Sequence, residues 1–301
     1  MPRREAVSVR SAPRASPGVT AGNVASRGHG ALGVADALEL KALKKQIERQ
    51  AGFFCDAYKE KCFRRRVAVR MRARGVHRYA EYAALLARDP AEYQRLLAAV
   101  TINVSKFFRN ADVWDVLRKD VVPGLFAPAA GEVRIWSAGC AAGEEAYSLA
   151  ILLLEHAARH DMMHRLRRFR ILGTDVDPGA LEAADRAEYG DLALAETPAT
   201  IRERWFLPGP PYRPRDEVRR LVRFAALDLL TDRLPEAQHV IVCRNVLIYF
   251  ERTVQEKLLT RLADALVPGG VLVLGKAEML PSSLAAAFQV VAHRERVFRR
   301  T

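Results

Sequence analysis

Charged side chains stand directly after several short apolar runs in this chain, where an open α/β sheet would hold a ligand beyond its strand ends. VRIWSA (133–138) runs into Gly139-Cys140-Ala141-Ala142-Gly143-Glu144-Glu145, a small-residue turn that lets a ligand approach the backbone before a helix expected to begin near Ala146. The spacing is Gly-x-x-x-Gly, which speaks against the Gly-x-Gly-x-x-Gly of dinucleotide folds. Alone it is equally well a tight turn whose glutamates favour the helix N-terminus. FRILGTD (169–175) ends at Asp175, suited to accept from ribose hydroxyls, while Asp177 before Pro178 suits a helix N-cap. VRFAALD (222–228) ends at Asp228, which could accept from an adenine amino group or simply stabilise a turn.

HVIVCRN (239–245) leads into Arg244-Asn245-Val246-Leu247-Ile248-Tyr249-Phe250, a charged and aromatic mixture at a strand's carboxyl end. An isolated tyrosine is usually half-buried packing; beside a cofactor loop, Tyr249 is a candidate for chemistry. A further run, Thr101-Ile102-Asn103-Val104-Ser105-Lys106-Phe107-Phe108-Arg109, lies where two regions of different character meet, and such junctions close over ligands. By composition alone it is also a plausible hinge with Phe107 and Phe108 in the core.

These residues must be positioned by elements. After about residue 113, short β-branched runs, including GVLVLGK (270–276), alternate with helical stretches, which predicts a parallel, doubly wound sheet. Residues 191–221 break the pattern with Pro198, Pro208, Pro210, Pro211 and Pro214 and read as an inserted subdomain. Ahead of the sheet, Leu38, Leu40, Leu43 and Ile47 recur at helical spacing, and the spacing returns after Tyr58 and after Arg78, predicting a small helical domain over residues 37–110. Residues 1–36, rich in Ala, Gly, Ser, Pro and Arg, are expected to form a disordered tail.

The chain of 301 residues carries 48 Lys and Arg against 35 Asp and Glu, a net +13 that favours an acidic partner. Residues 37–110 hold seventeen basic and seven acidic side chains, so the excess sits away from the expected sheet. No apolar stretch reaches the roughly 20 residues of a membrane span, and no secretory signal is evident, so a soluble, cytoplasmic protein is expected. Cys55, Cys62, Cys140 and Cys243 form no CxxC or Cys/His cluster, which argues against disulfides and structural zinc.

TINVSKFFRN, RIWSAGCAAGEEAYSLAILL, ILGTDVD, CRNVLIYF and PGGVLVLGKAE, in this order and spacing, resemble the signature set of the CheR chemotaxis-receptor (protein-glutamate) O-methyltransferases. The likeness extends through Tyr58-Lys59 and the following arginines to cover residues 37–300. It implies a class I S-adenosylmethionine methyltransferase sheet, Rossmann-like, over 111–301, with a small all-helical N-terminal domain and an inserted β-subdomain. Carried over position by position, it implies cofactor contacts from Asn103, Ser105, Arg109, Glu145, Asp175, Asp228, Leu229, Arg244 and Asn245, beside Gly139 in the first loop. Ser105 stands where threonine is common, Asp228 where asparagine can occur and Lys276 where histidine is frequent; serine keeps the hydroxyl, and Lys276 has no account at this level.

The activity implied is methylation of glutamate carboxylates on the cytoplasmic helical domain of chemotaxis receptors, using S-adenosylmethionine and leaving S-adenosylhomocysteine. A glutamate is ionised at neutral pH, so no strong base is needed and positioning should dominate. Arg109 and Tyr249 are the candidates for holding it. Lys59 to Arg74 carries eight basic residues and one acidic, and the resemblance makes Arg64, Arg65, Arg66, Arg70, Arg72 and Arg74 the receptor-docking set. The proline-rich run Arg204 to Tyr212 looks shortened relative to loops that grip a receptor's C-terminal pentapeptide, so a tether-independent enzyme is expected. No metal, nucleic acid or membrane insertion is expected, and the chain is expected to be a monomer. The rival readings are a nucleic-acid methyltransferase, favoured by charge but lacking an Asn/Asp-Pro-Pro-aromatic run after the fourth strand, and a non-catalytic S-adenosylmethionine sensor.

Overall fold

The computed structural model of the chain describes residues 28–101, 103, 105–127 and 131–301. Its centre is a seven-stranded sheet in the order β5-β2-β1-β6-β7-β9-β8. The strands are β1 (Val133–Ala138), β2 (Phe169–Asp175), β5 (Val222–Ala226), β6 (Gln238–Cys243), β7 (Leu266–Leu274), β8 (Phe288–Ala292) and β9 (Val297–Arg300). The first five pair in parallel, whereas β9 lies antiparallel to both β7 and β8. The alternation of strand and helix predicted the parallel part; the antiparallel C-terminal pair is an addition to it.

β1 and β6 are buried on both faces, as suits the middle of a parallel sheet, and period two sends alternate side chains to opposite faces. Val133, Ile135, Val240, Val242, Val271 and Val273 face one buried cluster, packed under the long helix α7 (Glu144–Arg159) and the helical segments α5 (Ala111–Val116) and α6 (Val122–Leu125). Trp136, Ala138, Ile241, Cys243, Leu272 and Leu274 face a second, packed under α11 (Arg252–Ala265). The indole of the fully buried Trp136 donates to Thr174 Oγ1 at 2.9 Å, so its polar atom is satisfied. The reversal of strand order, β1 beside both β2 and β6, opens a crevice at the carboxyl ends of these strands.

The helical domain comprises α1 (Gly28–Ala51), α2 (Glu60–Ala73), α3 (Tyr79–Arg88) and α4 (Pro90–Thr101). The first helix starts ahead of the boundary expected at residue 37; the rest of the expected tail, residues 1–27, lies outside the described residues. A third cluster, with Leu43, Ile47, Phe63, Val67, Tyr82 and Leu96 among its members, holds the domain together. Inside it Glu92 is fully buried and accepts from Arg70 Nε at 3.0 Å, Arg70 Nη2 at 2.7 Å and the Tyr82 hydroxyl at 2.9 Å.

The insertion after α8 (Pro178–Arg186) is small: α9 (Ala199–Trp205), a hairpin of β3 (Phe206–Leu207) and β4 (Arg213–Pro214), and α10 (Asp216–Arg219). An isolated bridge from Tyr189 to Tyr212 extends its sheet character. Glu155 of α7 anchors it, accepting from the Trp205 indole at 2.7 Å and pairing with Arg204 at 3.1 Å. We expect Glu92→Ala, which strips Arg70 and Tyr82 of a buried partner, to destabilise the helical domain by about 3 kcal/mol in chemical denaturation.

Candidate functional site

A cleft of about 910 Å³, counting its open mouth, occupies the crevice and reaches the junction between the two domains. Every residue expected to bind the cofactor lines it: Asn103, Ser105 and Arg109 from the junction, Gly139 and Glu145 from the first loop and helix, Asp175 at the end of β2, Asp228 and Leu229 after β5, Arg244 and Asn245 after β6. Tyr249 lines it as well.

The first loop is held down on β2. Gly139 N and Cys140 N donate to Thr174 O at 2.8 and 2.9 Å, and Ala141 N donates to Asp175 Oδ2 at 2.9 Å. Gly139 has φ +78°, and a Cβ there would come within 2.5 Å of Val246 Cγ2, so no side chain fits between this loop and the one after β6. Asp175 Oδ1 also accepts from Asp177 N at 3.0 Å. Burial pushes the Asp175 carboxyl up, opposed by these backbone donors.

Asp177 caps α8, as its place before Pro178 predicts, accepting from Gly179 N at 2.8 Å, and its other oxygen takes the Asn103 amide. Asn103 therefore ties the junction to α8 while facing the cleft. Asp228 takes the turn role that the sequence left open: Oδ1 accepts from Leu230 N at 2.8 Å, closing a turn at the edge of the cleft that the residue also lines.

Arg244 is buried, with its guanidinium donating to Arg109 O at 2.9 Å, to Asn110 Oδ1 at 2.8 Å and to Glu145 Oε2 at 3.4 Å. The other oxygen of Glu145 accepts from Ser137 Oγ at 2.8 Å. Burial pushes the Glu145 carboxyl up and Arg244 opposes it. Arg244 Nε is buried with no hydrogen-bond partner among the described residues.

Glu278, which sequence reasoning did not single out, is buried and accepts from Gly275 N at 2.5 Å, Asn245 N at 3.1 Å and Ile248 N at 3.3 Å. Its carboxylate thus shapes the turn that carries Tyr249. The only signal in the sequence was its place in the run after β7. Lys276 now has an account: it pairs with Asp112 in the first turn of α5, joining the loop after β7 to the helix after the junction, and it lowers the Asp112 carboxyl.

The Tyr249 phenol is raised by burial, and the positive charges of Arg66 and Arg109 pull it back. Arg66 belongs to α2, whose six candidate docking arginines divide by role. Arg70 is held by buried Glu92, Arg74 pairs with Asp89 at 3.0 Å, and Arg64 pairs with Glu60 and Asp36. Arg65 and Arg72 are exposed and make no ion pair among the described residues. The basic composition of this helix overstates its free charge, because half of these guanidinium groups are engaged within the domain.

Residues 103–297 match the family described as CheR methyltransferase, SAM binding domain, and residues 38–101 match the CheR methyltransferase all-alpha domain. The chain belongs to the CheR methyltransferase family. Among its relatives, the chemotaxis protein methyltransferase of Listeria innocua is 36% identical over 235 residues, 78% of this chain and 87% of the relative. Those of Klebsiella aerogenes and Escherichia coli are 32% and 30% identical, over 79% and 82% of this chain and 82% and 86% of theirs. The last residue of the first match, Thr101, and the first of the second, Asn103, both line the cleft.

As a CheR family member the chain is an S-adenosylmethionine-dependent methyltransferase, and the cleft fits that cofactor. Carboxylates at Asp175 and Asp228 suit the hydroxyl and amino donors of an adenosine, the Arg109 and Arg244 guanidiniums suit an amino-acid carboxylate, and the unpartnered Arg244 Nε awaits an acceptor. No group of three or more His, Cys, Asp or Glu side chains among the described residues could hold a metal ion, and no helix among them is long and apolar enough to cross a membrane.

Glu144, in the first turn of α7, is buried with Oε2 unpartnered, and burial pushes it up to about 7. Between the ordinary glutamate value and about pH 7 the folded chain keeps a proton that the unfolded chain has lost, so stability falls as pH rises through that window. In thermal melts from pH 4 to 8, Glu144→Gln should show a smaller fall than the parent, the difference approaching at most about 3 kcal/mol at pH 8.

Proposed function

We propose that the protein transfers methyl groups to glutamate carboxylates on the cytoplasmic helices of chemotaxis receptors, as glutamate methyl esters. The observation that carries this reading is the surrounding of Tyr249, a protonated phenol flanked by the positive charges of Arg66 and Arg109 at a cleft already furnished for the cofactor. That combination recognises an anion. Two guanidiniums attract a carboxylate and a neutral phenol donates to one of its oxygens, leaving the other to react.

S-adenosylmethionine supplies an electrophilic methyl group when bound. The chain's own work is orientation. Arg109 and Tyr249 fix the acceptor carboxylate, and the rigid turn under Glu278 fixes Tyr249. No side chain need abstract a proton, since the acceptor is already ionised near neutral pH. Arg65 and Arg72, exposed on α2, suit contact with an acidic receptor helix. The names of the relatives, chemotaxis protein methyltransferases, support the same class of acceptor.

The test is transfer of radiolabelled methyl from S-adenosylmethionine to receptor-containing membranes. The expected label is released as methanol in base, and base-stable label on receptor would overturn the carboxylate assignment. Tyr249→Phe should lower turnover about 100-fold with S-adenosylhomocysteine affinity nearly intact; lost affinity alone would refute the role of the phenol.

We also propose that the enzyme works without a receptor tether. The β3–β4 connection, Pro208 to Tyr212, is short and carries three prolines, which have no backbone N–H with which to hold an added peptide strand. A peptide matching a receptor's C-terminal pentapeptide should give no measurable heat in calorimetry, and micromolar binding would sink the proposal.

A further inference from the structure

Tyr58 was not among the candidate site residues, yet it lines the cofactor cleft on the side of Asp175, Val176, Asp228 and Leu229. It comes from the helical domain, one residue after a turn of 3₁₀ helix (Cys55–Ala57) and two before α2. Its ring cannot swing freely. It stacks on Phe53 at a centroid distance of 4.9 Å and 29° between planes, and meets Phe250 edge-on at 5.0 Å and 71°.

The backbone is fixed as firmly. Tyr58 forms an isolated antiparallel bridge with Phe250, framed by Lys59 N donating to Tyr249 O at 2.8 Å and Glu251 N donating to Ala57 O at 2.8 Å. Lys59 Nζ adds a bond to Ile248 O at 2.9 Å. A segment of the helical domain is therefore stitched to the very turn that carries the catalytic tyrosine.

The hydroxyl is the informative atom. Tyr58 is half-buried, and its hydroxyl makes no hydrogen bond among the described residues. Burial raises the phenol, and so do the negative charges of Asp228 and Asp175, which lie near enough to act on it. An O–H donor and acceptor held rigidly in a cleft, close to two carboxylates and bonded to neither, is placed for a ligand that offers hydroxyl and amino groups to all three.

We propose that Tyr58 is a cofactor-binding residue whose ring and hydroxyl close the adenosine half of the cleft, so that the helical domain shares in holding S-adenosylmethionine. This rests on the assignment of Asp175 and Asp228 to the adenosine. It also makes cofactor binding sensitive to the seating of one domain on the other, because Tyr58 reaches the cleft only through the bridge to Phe250.

The experiment is calorimetry on the full chain with two probes, S-adenosylhomocysteine and 5′-methylthioadenosine, the second lacking the amino-acid half. Tyr58→Phe, which keeps the ring and its stacking, should weaken both probes by about 3- to 10-fold, the loss of one hydrogen bond, with an unchanged melting temperature. Tyr58→Ala should weaken both further, by about 10-fold or more in total. Equal losses for the two probes locate the contact on the adenosine. Unchanged affinity of Tyr58→Phe for both probes overturns the proposal, as does a loss confined to S-adenosylhomocysteine. Asp175→Asn is the control: if it weakens both probes while Tyr58→Phe does not, the adenosine assignment stands and Tyr58 alone is excluded; if it weakens neither, the assignment itself fails and the proposal with it.

Discussion

A charge taken out of water must find its partners inside the protein, and Arg244 imposes that demand at the point where three segments converge. Its guanidinium needs Glu145 from the first turn of α7 and the Arg109 carbonyl and Asn110 amide oxygen from the junction, while its own backbone follows directly on β6. None of the three can shift without leaving a buried charge exposed to a low-dielectric surrounding. The carboxyl edge of the sheet and the interdomain junction are thereby locked together, and the side chains that line the cleft inherit their positions from that lock.

The backbone around the cleft bears the cost of this arrangement. Phe108, Asn110, Ala141 and Asn245 all adopt positive φ, conformations disfavoured for residues with a side chain, and all lie in the junction or in the loops after β1 and β6. Such strain persists only where surrounding bonds over-determine the chain. The Glu278 carboxylate supplies them at Asn245, and Ser148 Oγ accepts from Phe108 N at 3.1 Å. The strained loops are thus tied by buried polar contacts, to α7 at Phe108 and to the turn after β7 at Asn245, which suits a site whose task is orientation.

The helical domain does two different things with its excess positive charge. Arg70 and Arg74 on one face of α2 pair with Glu92 and Asp89, and Arg64 on another pairs with Glu60 and Asp36, which stabilises the small domain more than it offers charge to a partner. The positive charge of Arg66 acts on Tyr249, and Arg65 and Arg72 remain exposed. The same helix follows directly on the segment bridged to Phe250, so the surface suited to a substrate and the wall of the cleft belong to one short stretch of chain.

The sequence by itself determined the strands, because β-branched runs buried on both faces must alternate with amphipathic helices, and it determined the acidic and basic residues that end them, because a short turn keeps each close to its strand. Asp175, Asp228, Arg244 and Asn245 came to the cleft on that ground, whereas Asn103, Ser105 and Arg109, which the resemblance implied, reach it from the interdomain junction. Tertiary structure alone decided what depends on contacts distant in the chain. Tyr58 meets Phe250, Glu278 meets Asn245 and Lys276 meets Asp112 across long stretches of chain, Arg66 comes within electrostatic reach of Tyr249, and no local period encodes such pairings. Strand order and the antiparallel edge followed the same rule: register is settled by which apolar faces bury one another, a property of the assembled sheet and not of any strand in it.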